Sequence, residues 1–159
     1  GFLLGSHSQQ MEVDLVVTSA CLTGQLDVAR PEEWLGLPLA LQAVWKTKTL
    51  LLTLWEVDEL AAMIWVVTLV DGLTDGLTAG EAQRRAQGKV MQTTYEQVEN
   101  IWLSDAKKYL TVESWNNVYN RWRDFASMSG DYPFSDPVYW APFVLIGDPT
   151  LTISPRRPA

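Results

Sequence analysis

The chain has 159 residues, 47% of them hydrophobic and 19% charged, a balance that excludes wholesale disorder and fits one domain with a packed core. Its net charge of −7 argues against a nucleic-acid-binding surface, because phosphate contacts need clustered Lys and Arg. One cysteine and one histidine make a poor ligand set for zinc, and no cofactor is expected.

A single cysteine cannot close an intramolecular disulfide, which points to a reducing, cytoplasmic compartment. The longest apolar run, LAAMIWVVTLV at 60–70, is about half the length needed to cross a membrane. Asp58, Glu59 and Asp71 bracket it, so no membrane partner is expected. The opening GFLLGSHSQQ lacks the basic n-region and cleavage site of a signal peptide.

In chain order, residues 1–12 form a poorly defined segment, and VDLVV at 13–17 predicts a strand buried on both faces. A polar loop follows, then a helix from Glu32 or Glu33 to about Val44, with Leu37, Leu41 and Val44 at helical spacing and Pro38 in conflict with its first turns. TLLLTLW at 49–55 predicts a second buried strand. The next helix has Asp58 as its N-cap and Gly72 as its stop. Thr78 and Glu81 form a capping box for another, whose Ala82, Ala86 and Val90 make a narrow face suited to lying close against a sheet.

An aromatic helix is predicted over 111–127, with Trp115, Tyr119 and Trp122 recurring at helical spacing, inside a helical insertion spanning 104–133. After a loop, YWAPFVLIG at 139–147 reads as a last strand that accepts Pro142 at an edge or bulge. Strands alternating with helices predict an α/β sandwich with a mainly parallel sheet. Three strands make a thin sheet, so the chain is expected to be the C-terminal part of a larger α/β domain.

The stretch DLVVTSACLTG at 14–24 places Cys21 at the tip of the first strand. Open α/β sheets bind ligands outside the carboxyl ends of their strands, so this thiol is a candidate nucleophile. The competing assignment is a small apolar filler, since free cysteine is among the most buried residue types. Trp55 and Asp58 follow the second strand and face the same crevice if the strands are parallel. Trp55 is then a pocket wall or core, and Asp58 a partner for a basic substrate side chain or simply a helix cap.

LVVTSACLTG resembles the nucleophile strand of CHAT domains, caspase-like cysteine peptidases associated with TPR repeats. EEWLGLPLALQAV, LLLTLWEVDE, DGLTAGEAQRRAQ and YWAPFVLIGDP resemble later blocks of that family, in the same order and over about 14–149. The resemblance implies a caspase-like three-layer sandwich that hydrolyses peptide bonds of a protein or peptide substrate through a His–Cys dyad. It implies Cys21 as nucleophile and Ser19 as a lining residue of the substrate pocket, to which Trp55 and Asp58 are added as substrate-binding candidates by their place after the second strand.

Two departures stand out. Leu22 occupies a position usually acidic in the family. The family histidine lies on a preceding strand, whereas His7 is separated from the cysteine strand only by SQQMEV, too short for the crossover of about a dozen residues that parallel neighbours need. The base is therefore expected upstream of Gly1, in an N-terminal half that would be a partner of this chain. The alternative function is a catalytically silent caspase-like module for protein interaction.

Overall fold

The computed structural model describes residues 13–18, 40, 42–126 and 130–153. Its two apolar runs form strands β1 (Leu15–Val17) and β2 (Thr49–Thr53), which pair in parallel with Leu15 opposite Thr49 and Val17 opposite Leu51. The pairing extends past the strand ends: Thr49 N donates to Asp14 O at 3.1 Å and Thr18 N to Leu51 O at 2.8 Å. Residues 42–45 are helical and end near the predicted boundary, while the start of that helix lies outside the described residues.

Strand β3 (Phe143–Gly147) pairs with the other edge of β2, and here the mainly parallel sheet is corrected. β3 runs antiparallel, with Leu51 opposite Leu145, so the described sheet is mixed, in the order β1-β2-β3. β2 is the central strand and all five of its residues are buried. β1 is an edge among the described strands and is not buried on both faces, for Val17 is 39% exposed. Pro142 lies just before β3 rather than within it. Its carbonyl accepts from Leu54 N at 3.0 Å, so the missing proline N–H is not required of the ladder.

Helix α1 (Glu59–Thr74) starts where Asp58 caps it. It runs past Gly72, and the turn that follows uses Gly76 at φ 87° instead. Gly72 serves close approach: a Cβ there would sit 3.1 Å from the Cβ of Ala82. Helix α2 (Ala79–Gln92) has the predicted capping box, Thr78 Oγ1 accepting from Glu81 N while Glu81 Oε2 accepts from Thr78 N at 3.0 Å. Its small face, Ala82, Ala86 and Val90, is fully buried, and Ala82 meets Gly72 of α1; the small side chains bring two helices together. Gln83 and Gln87 tether the helix to the sheet, their Nε2 atoms donating to Phe143 O at 2.8 and 3.0 Å.

Helix α3 comprises an α turn (Tyr95–Gln97) and a π segment (Val98–Leu103), both absent from the sequence expectations, and a second α turn (Ser104–Ala106) at the start of the expected helical insertion. The aromatic helix is α4 (Val112–Ala126), and its Trp122 is buried beside Tyr95, Phe125 and Phe134. Tyr139 and Trp140 belong to a short helix, α5 (Pro137–Trp140), not to the last strand. Leu51, Ile64, Leu69, Trp65 and Phe143 share one core, in which Trp65 stacks on Phe143 with ring centroids 4.2 Å apart.

The end of β3 gives a sharp test. Gly147 has φ 113°, and a Cβ there would lie 2.1 Å from Lys48 O. Gly147→Ala combines a disfavoured backbone with overlap against backbone, and is expected to cost about 3 kcal/mol or more. Gly76→Ala, with φ 87° and nothing within 4 Å, is expected to cost only about 1 kcal/mol. Urea midpoints of the two variants check the difference.

Candidate active site

Parallel pairing fixes which ends of the strands share an edge. The carboxyl ends of β1 and β2 lie together, and β1 hands the chain on through Thr18, whose N–H is bonded to Leu51 O. Ser19, Cys21 and Leu22, which follow, lie outside the described residues, as does His7.

From β2 the chain leaves through Leu54 to Trp55, a half-buried residue whose Nε1 donates to Val138 O at 3.0 Å. That bond ties the exit of β2 to α5. Asp58 then ends the loop: its Oδ1 accepts from Leu60 N at 2.9 Å and from Ala61 N at 3.2 Å, satisfying two of the otherwise orphaned donors at the start of α1. Asp58 is thus a helix cap by geometry, and it is a cap placed at the carboxyl edge of the parallel pair.

Tyr139 joins this edge, although its sequence context reads as strand. The available signal was Asp136 followed by Pro137, a cap residue with proline at the first helical position. Asp136 Oδ1 accepts from Val138 N at 2.9 Å, and the helix it starts carries Tyr139 edge-on to Phe125 and Phe134. Burial raises the pKa of the Tyr139 phenol above its ordinary value, and the charges of Asp58 and Asp136 push it in the same direction.

Beside Asp58 opens a cavity of about 320 Å³, walled on one side by Glu59 and Leu60 and on the other by Val118, Arg121 and Trp122 of α4. Arg121 Nη1 reaches Glu59 Oε2 at 3.4 Å across its exposed mouth. Arg121 was not singled out in the sequence, because an arginine on an aromatic helix gives no signal until α4 is set against α1. The edge therefore offers carboxylates, a phenol and an apolar floor, a binding surface rather than a complete reaction centre.

Among the described residues, no group of three or more His, Cys, Asp or Glu could hold a metal ion. Among the same residues, no helix is long and apolar enough to cross a membrane. The family model described as "CHAT domain" matches residues 3–148 of the chain. Searches of curated proteins and of solved structures give no match.

The proximity of Asp58 and Tyr139 can be checked by titration. A folded pKa raised above the unfolded value, near 10, means that the neutral phenol supports the fold below that pH and the support is lost as pH rises through the folded value. Asp58→Asn preserves a capping oxygen but removes a charge. It is expected to lower the Tyr139 pKa while leaving it above the ordinary value, since burial is the larger cause. The Tyr139 ring-carbon NMR signal, followed through alkaline pH in both proteins, measures this.

Proposed function

Because the chain belongs to the CHAT domain family, which is related to cysteine peptidases, we propose that it is a caspase-like cysteine endopeptidase domain with Cys21 as its nucleophile. The observation that supports this most is the direction of β1. The strand leading to Cys21 runs parallel to β2, toward the edge where Trp55 and Asp58 leave the sheet. On this reading the rest of the domain completes a three-layer caspase-like sandwich around the sheet.

The chemistry follows from the residue types. The Cys21 thiolate attacks the scissile carbonyl, and backbone N–H groups of the turn after it stabilise the oxyanion. The protonated histidine gives its proton to the leaving amine, and water then hydrolyses the thioester with the same histidine as base. Ser19 and Trp55 line the pocket for the substrate side chain, and Asp58 contributes a negative charge near its mouth. The seven residues between His7 and β1 are too few for a parallel crossover, so the base is a histidine N-terminal to Gly1. That N-terminal part of the domain, and TPR repeats elsewhere in the protein, are its proposed partners, in the cytoplasm.

A peptidyl acyloxymethyl ketone, applied to the polypeptide with its native upstream sequence, tests the proposal. Cys21 is expected to be alkylated far faster than a free peptide thiol, at a rate abolished by Cys21→Ala. General-base assistance is typically worth about 10²–10⁴-fold, so loss of the true base should be unmistakable. His7→Ala is expected to leave the rate within about twofold of the parent. Alkylation of Cys21 no faster than of a free thiol would instead support a silent interaction module, the reading to which Leu22 lends itself.

A further inference from the structure

A second cavity, of about 290 Å³, adjoins the first and shares Glu59, Leu60 and Val118 with it. The two form one trench between α1 and α4. The second half is apolar, floored by Leu60 and Met63 and bordered by Tyr109 and Leu110, which are 86% and 38% exposed. The first half is lined by the carboxylates Asp58, Glu59 and Asp124 together with Arg121. Each half is at the bottom of the ~300–1,000 Å³ range of small-molecule sites, a size that suits one side chain rather than a cofactor.

We infer that this trench docks an extended peptide segment carrying a large apolar side chain two positions from a basic one. In an extended chain, residues two apart project to the same face, so adjacent cavities are filled by alternate side chains. The apolar side chain covers Met63 and Leu110. The basic one enters beside Asp58 and Glu59, where it competes with Arg121 for a carboxylate that Arg121 holds only at 3.4 Å and in solvent. The chain's net charge of −7 favours the approach of such a segment. Trp122 lines the acidic half at 2% exposure, so its indole is a reporter of what occupies the trench. That the segment is the substrate rests on the peptidase reading proposed above; that it docks does not.

The test uses the full chain as Cys21→Ala, so that binding is read without chemistry. Acetyl-Leu-Gly-Arg-amide and acetyl-Arg-Gly-Leu-amide are titrated against acetyl-Leu-Gly-Glu-amide, following the Trp122 indole N–H signal, which Trp122→Phe identifies by its loss. At least one Arg peptide is expected to bind about tenfold more tightly than the Glu peptide and to shift that signal. Asp58→Asn combined with Glu59→Gln, which retains the cap, is expected to reduce this preference to about twofold. Val118→Trp, which fills the wall common to both cavities, is expected to abolish binding while the far-UV spectrum stays that of the parent. Equal affinity for Arg and Glu peptides, no binding by any peptide, or binding that survives Val118→Trp would overturn the inference. Failure of Cys21 trapping with docking intact would count against the peptidase reading alone.

Discussion

Strand β2 is buried on both faces and hydrogen-bonded along both edges, and the direction of everything around it follows from that position. Its register against β3 is locked at one end, where Gly147 passes so close to the Lys48 carbonyl that no side chain fits, and where Asp148 N donates to Lys48 O at 3.1 Å. Thr49, a polar residue inside the sheet, is satisfied there too, its hydroxyl donating to Asp148 O at 2.7 Å. A slip of one residue would turn every β2 side chain to the opposite face and leave these groups unpaired. The lock at the amino end of β2 therefore secures the carboxyl end, where the candidate site lies.

The site edge is built from helix starts more than from strands. Asp58 and Asp136 each cap a helix, and each does so with a carboxylate beside Tyr139. Capping is therefore compatible with a binding role: a carboxylate oxygen engaged by α1 still carries charge to the trench. Trp55 plays a structural part alongside, holding α5 to the exit of β2 through its indole N–H. These contacts set two loops against each other and leave the groove between α1 and α4 open.

Local features were the most legible in the sequence. The strand in the apolar run at 49–55, the Asp58 cap and the Thr78–Glu81 capping box are specified by near neighbours, and the structure has all three, the strand ending at Thr53. Direction was not legible, because FVLIG is equally apolar whichever way it runs, and only the path through α1 to α5 returns it antiparallel. Gly72 misled for a similar reason: its purpose, contact with Ala82, belongs to a helix pair rather than to its own helix. The start of helix α3 was missed although Thr94 and Gln97 form a capping box, because its π segment breaks the periodicity that follows. The resemblance that pointed to the family is confirmed by the match over 3–148, whereas Cys21 and Ser19 fall outside the described residues.

The central claim is that Cys21 lies at the carboxyl edge of the β1/β2 pair, and its being the only cysteine makes that directly measurable. A nitroxide attached to Cys21 broadens amide NMR signals in proportion to proximity. The two edges of a five-residue strand are about 17 Å apart, enough to separate them. The account predicts strong broadening at Leu54, Trp55, Val57 and Val138, with Thr47, Lys48 and Asp148 much less affected. Stronger broadening at Thr47, Lys48 and Asp148 would contradict it.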